Sequence, residues 1–184
     1  MGSVDVRALL ALYGGTPHGL LFAPMLALTI VGGGWASLLL VPMLIHPRTR
    51  AFALPLALAV GTQALLVSTI KALVGRARPW IALGLPAPFG APHDGSFPSG
   101  HAAGNFCVAA FLAVALPAIW PQAPARVRVL TSVAAVYAAL VATSRVYLGA
   151  HFPSDVLAGA LLGVLVGGAA GVLYVRHRAS TATT

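Results

Sequence analysis

The chain has 184 residues, 59% of them hydrophobic and only 8% charged, with a mean hydropathy of +0.91. Soluble domains carry roughly a quarter charged residues, so a water-soluble globule is excluded. The formal net charge of +8 does not imply nucleic acid as a partner, because the basic residues form no single arm and no soluble domain presents them.

An all-α, polytopic transmembrane bundle of five to six membrane helices is expected. Residues 1–184 read as one domain, since no polar linker separates two cores. The N-terminal segment, 1–17, carries Asp5 and Arg7 and lacks a signal-peptide core ending in a small-residue cleavage site, so it is expected to be retained. Its apolar part, 4–13, is too short to span and predicts an amphipathic helix at the interface; a degenerate first span is the alternative.

The bundle proper occupies 20–175, with apolar stretches at 20–45, 51–74, 102–120, 127–147 and 156–175, each near the length of about 20 residues that a spanning helix needs. Cys107 falls inside the third and reads as an inert buried thiol. In the last, Gly159, Gly163, Gly167 and Gly171 recur every fourth residue, giving a bare helix face for close packing on a neighbour within the chain. A homodimer through the same face is the alternative.

Charge alternates between the connections. His46 to Arg50, Arg126 to Arg128, and Arg176 to Arg178 fall on one side, which the positive-inside rule makes cytoplasmic. The other side receives all three acids, Asp5, Asp94 and Asp155, together with Lys71, Arg76, Arg78 and Arg145. Basic residues on the wrong side or at membrane depth usually have a function.

Three clusters gather there. In Lys71-Ala72-Leu73-Val74-Gly75-Arg76-Ala77-Arg78-Pro79 the Arg-Pro step ends the helix, leaving Lys71 one to two turns deeper, where a bound anion offsets the burial of its charge; simple snorkelling is the alternative. In Pro98-Ser99-Gly100-His101 the serine is a favoured N-cap. The free amides and dipole of a helix start attract an anion, and Gly100 lets the backbone approach it. The third cluster is Ser144-Arg145-Val146-Tyr147-Leu148-Gly149-Ala150-His151-Phe152-Pro153-Ser154-Asp155. If helical from about His151, it places His151 and Asp155 on one face, where a carboxylate can fix the imidazole tautomer; a structural capping pair is the alternative.

Together, Lys71-x6-Arg78-Pro79, Pro98-Ser99-Gly100-His101 and Ser144-Arg145-x5-His151-x3-Asp155 resemble the three-part signature of the type 2 phosphatidic acid phosphatase superfamily, in its membrane-bound lipid phosphatase branch. The resemblance implies a metal-independent phosphatase without cofactor, working through a phosphohistidine. It implies that His151 is the nucleophile, Asp155 its orienting partner and His101 the general acid. Lys71, Arg78, Ser99, Gly100 and Arg145 are then the phosphate cradle, and Arg76, at an unspecified motif position, is left out of it. The chemistry agrees. Phosphoryl transfer is catalysed by positioning and charge stabilisation, histidine titrates near neutrality, and three carboxylates widely spaced in sequence make a poor two-metal site.

A site at the end of a membrane bundle takes a headgroup while the tail stays in lipid, so the expected substrate and partner is a lipid phosphate. Within the resembled family the candidates are polyprenyl diphosphate, narrowly first, phosphatidylglycerol phosphate, phosphatidic acid and lipid A phosphates. The composition fits a bacterial inner-membrane enzyme with its site facing the periplasm. The loop with Trp80, Leu85 and Phe89 is expected to shape the entrance, and His93 and Asp94 are read as solvated loop residues. A phosphotransferase using the same intermediate, or a non-catalytic lipid-phosphate binding or transport protein, are the competing readings.

Overall fold

In the computed structural model the described residues are 3–14, 19–87 and 94–181, and every regular element among them is helical. Phe89 and His93 lie outside the described residues. Helix α1 (Val4–Leu12) starts behind Ser3, whose hydroxyl accepts from the Val6 amide, and carries Asp5 in its first turn, the end where the helix dipole favours a carboxylate. Leu9 is fully buried among Ala102, Ala142, Val146, Phe152 and Val156, while Val4, Leu10 and Leu12 are exposed. The segment is thus docked on the bundle through one face and apolar on the other.

The stretch 20–45 is not one continuous span. It divides into α2 (Phe22–Val31), a 3-10 segment Gly34–Leu39 and α3 (Leu40–Ile45). The break falls at Gly32-Gly33-Gly34, where backbone freedom is greatest. A broken helix at membrane depth must find partners for its freed carbonyls, and Asn105 Nδ2 donates to the Gly32 oxygen at 2.9 Å. Side chains would not fit there either: a Cβ on Gly32 would sit 2.6 Å from both methyl groups of Val141.

Among the described residues, four stretches are long and apolar enough to cross a membrane, at Thr49–Leu83, Gly100–Ile119, Pro124–Tyr147 and Pro153–Thr181. The first takes in all but the first two residues of α4 (Pro47–Val74) and the short α5 (Pro79–Leu83); the others are α6 (Gly100–Ile119), α7 (Pro124–Tyr147) and α8 (Pro153–Thr181). Their starts are written in the sequence. Pro79 and Pro124 occupy the first helical turn, where the missing N–H has no consequence, and Ser99 caps α6 by accepting from the Ala102 amide. Gly75, at φ 59, ends α4 in the left-handed conformation, its amide bonded to the Lys71 oxygen, as a glycine does past a helix C-terminus.

Up-and-down order brings the end of α4, the start of α6, the end of α7 and the start of α8 to the same side. The glycine face of α8 lies on α6 so closely that a Cβ would meet the Ser99 oxygen at 2.4 Å from Gly159, the Ala103 oxygen at 2.2 Å from Gly163 and the Cys107 oxygen at 2.0 Å from Gly167. At the opposite end, Phe52, Phe111 and Tyr174 pack with ring centroids 5.3 to 5.9 Å apart. In lipid, where apolar burial no longer drives helix association, this close fit is what holds the spans together.

Candidate active site

His151 sits in the turn between α7 and α8 and is 1% exposed. It is not part of α8, which begins two residues later. Its amide instead donates to the Arg145 oxygen at 3.1 Å, and the Ala150 amide to the same oxygen at 2.9 Å, in a turn that Gly149 makes at φ 68. The expected pairing with Asp155 is nonetheless present, with Nδ1 3.7 Å from Oδ2. That is an ion-pair distance rather than a hydrogen bond, and Nδ1 has no hydrogen-bond partner among the described residues.

The other ring nitrogen defines the tautomer. Arg78 Nη1 lies 3.2 Å from His151 Nε2, and a guanidinium can only donate. Nε2 must therefore carry the lone pair, which leaves the proton on Nδ1, toward Asp155. Burial, aided by the Arg145 and Arg78 charges and opposed by Asp155, lowers the imidazole pKa to about 4. The ring is neutral with a nucleophilic nitrogen among cations.

Asp155 is fully buried and fully engaged. Oδ1 accepts from Arg76 Nη1 at 2.5 Å, and Oδ2 accepts from the Phe152 amide at 2.8 Å and from the Ser96 hydroxyl. Arg78, 2% exposed, donates from Nε to the Asp94 oxygen at 2.9 Å, from Nη2 to Asp94 Oδ1 at 2.5 Å, and from Nη1 to the Ala150 oxygen at 3.0 Å. Lys71 Nζ donates to Asp94 Oδ2 at 2.6 Å. Arg145 is buried, and its Nε has no hydrogen-bond partner among the described residues. It acts electrostatically on both His151 and His101.

From this end a cavity of about 620 Å³ runs into the bundle. Lys71, Asp94, Gly100 and His101 line its head, and Val67, Val60 and Leu56 continue it down α4, a length of about 22 Å at 1.5 Å per residue. Among the described residues no three His, Cys, Asp or Glu side chains are grouped to hold a metal ion.

Residues 52–179, more than half of the chain, match the PAP2 superfamily. The chain belongs to this superfamily. It is 38% identical over 109 residues to phosphatidylglycerophosphatase B of Bacillus subtilis strain 168, an alignment that covers 59% of this chain and 51% of that protein. The chain thus spans about half the length of that curated relative. Among solved structures, the PAP2-type phosphatidylglycerolphosphate phosphatase from Bacillus subtilis superposes with a TM-score of 0.74 at 29% identity, covering 92% of this chain and 82% of the other. Aquifex aeolicus LpxE gives 0.73 at 26%, covering 92% and 95%.

The PAP2 fold brings all eight residues singled out in the sequence to one end of the bundle. Two residues outside this set also reach the site. Asp94 is half exposed in its loop, yet it also bridges Lys71 and Arg78, and those hydrogen bonds outweigh the effect of burial and hold its carboxyl below the usual range. Arg76, left out of the cradle, joins Asp155 to Asp5. Ser96 and Asp5 were not singled out at all. The available signal was scarcity: in a chain with three acids and a net charge of +8, each acid gathered at the cationic end has cations to pair with.

Proposed function

We propose that this chain is a metal-independent lipid phosphatase that hydrolyses a lipid phosphate or diphosphate through a phosphohistidine. The observation that carries the reading is the buried, neutral His151, its Nε2 lone pair facing Arg78 with the Arg145 charge nearby, at the same end of the bundle as the Lys71, Gly100 and His101 head of a largely apolar cavity. Nε2 attacks phosphorus, the bond to the lipid oxygen breaks, and His101 delivers a proton to that oxygen. Water then attacks the phosphohistidine, with His101 taking its proton, and inorganic phosphate leaves. Lys71, Arg78, Arg145 and the amides behind Ser99 and Gly100 stabilise the equatorial oxygens.

Asp94 bridges two of those cations, so an arriving phosphate exchanges with its carboxylate. The relative's name moves phosphatidylglycerol phosphate ahead of polyprenyl diphosphate as the first substrate to try. The basic ends of α4, α7 and α8 lie opposite the site, which supports an extracytoplasmic site.

The test is release of inorganic phosphate by purified protein from phosphatidylglycerol phosphate, phosphatidic acid and polyprenyl diphosphate, each with and without EDTA. Activity that survives the chelator, and its abolition in His151→Ala, are expected. No release from any of the three overturns the phosphatase reading, and loss in EDTA alone overturns the metal-free mechanism.

A further inference from the structure

Helix α1 precedes the residues that match the superfamily, yet its Asp5 reaches the reaction centre. Asp5 Oδ2 accepts from Arg76 Nη2 at 2.6 Å and its Oδ1 from the Ser154 amide at 3.0 Å, while the Ser154 hydroxyl donates to Oδ2 at 2.5 Å. The other arm of the same guanidinium, Nη1, donates to Asp155 Oδ1 at 2.5 Å and to Ser154 Oγ at 2.7 Å. The guanidinium carbon lies over Phe152, 4.2 Å from the ring centroid. Both terminal nitrogens of Arg76 are thus engaged between two carboxylates and the first turn of α8.

We propose that Asp5 is a positioning residue of the phosphoryl-transfer site, acting through Arg76 on Asp155 so that a net negative charge faces the His151 ring. This rests on the phosphatase reading. When Nε2 bonds to phosphorus, a ring with its proton on Nδ1 becomes cationic. Arg78 and Arg145, the two cations that act on His151, oppose that charge. The carboxylate turned toward it is Asp155, 3.7 Å from Nδ1.

Were Arg76 paired with Asp155 alone, the pair would be neutral, and Asp155 would offer the imidazolium little. Asp5 takes one arm of Arg76, so one cation is shared between two carboxylates and one negative charge is left over. The anchor is also geometric: the Ser154 amide is tied to Asp5 one residue before Asp155, which sets where α8 begins. Leu9, buried in the adjoining core, holds α1 in place independently of Asp5.

The experiment uses the full chain in mixed micelles with phosphatidylglycerol phosphate and phosphatidic acid, comparing wild type, Asp5→Asn and Asp5→Glu. Asp5→Asn is expected to lower kcat about tenfold, in the range of outer-shell partners of a functional histidine, with KM little changed. Acid quench should show slower formation of the phosphoenzyme, and Asp5→Glu should restore kcat. Asp5→Ser also removes the charge and takes the place of the amide variant if that one does not fold.

Wild-type kcat in the charge-free variant, a change confined to KM, or a loss that Asp5→Glu does not restore each overturns the role of Asp5 while the phosphatase reading stands. A wild type inactive on both lipids and on polyprenyl diphosphate overturns the two together.

Discussion

His151 shows how burial decides a protonation state. Its pKa falls from 6.5 to about 4 in the folded chain, so between those values the unfolded chain binds a proton that the folded chain does not. Stability therefore rises with pH through that window. Thermal unfolding of wild type between pH 4 and 7 should show the slope, and His151→Asn should flatten it; parallel curves for the two proteins would contradict the burial of a neutral ring. Asp94 and Asp5 give a slope of the same sign, at lower pH. Both carboxyls are held below 3.8, because hydrogen bonds from Lys71 and Arg78, and from Ser154 and Arg76, outweigh the raising effect of burial. Their contribution is present above that value and is lost as pH falls through the folded-state values. On the proposed mechanism substrate phosphate displaces Asp94 from Lys71 and Arg78, so Asp94→Asn should lower KM about two- to fivefold, the worth of a half-exposed ion pair. A KM that rises would instead make Asp94 part of the binding surface.

At the scale of elements, the junction of α6 and α8 is where sequence periodicity and chemistry meet. The bare face of α8 lets α6 approach until backbone oxygens of α6 lie at 2.4 Å or less from where a Cβ of Gly159, Gly163 or Gly167 would stand. Those oxygens belong to helix backbone and cannot turn aside. Gly163→Ala should therefore destabilise by about 1–3 kcal/mol or more, as overpacking does, and reduce turnover by moving Asp155 and Ser99 apart. Gly168, one position beyond Gly167, meets nothing within 4 Å. Gly168→Ala should be neutral or stabilising by up to about 1 kcal/mol. Thermal unfolding of the two variants in one detergent checks the contrast, and equal effects would show that the stripe is not the packing face.

For the whole molecule, the four spans place Lys71, Gly100, Arg145 and Asp155 at one end and the Arg50, Arg128 and Arg176 end opposite. Since Cys107 is buried, single cysteines can report the orientation. Ala87→Cys should react with a membrane-impermeant maleimide in intact cells, whereas His177→Cys should react only after lysis; the reverse pattern would put the site in the cytoplasm. The glycine face is covered within the chain by α6, so the close packing expected of it is met without a second copy.

Helix class, four of the expected spans and the three clusters were legible in the sequence because each depends on nearby residues: apolar run length, proline and serine at helix starts, glycine at a helix end. The first apolar stretch, 20–45, was read as continuous because hydropathy counts residues and does not register a break, and the break is completed by Asn105, 73 residues from Gly32. Asp5, Arg76 and Ser96 escaped for the same reason. The bonds from Arg76 to Asp5 and Asp155 cross 71 and 79 residues, and that from Ser96 to Asp155 crosses 59. No local pattern specifies which carboxylate a cation will meet across such separations. The sequence alone determined that the eight motif residues gather at one end of a membrane bundle. Only the tertiary structure, by docking α1 and closing α8 onto α6, decided how the charges are shared among three acids and their cations.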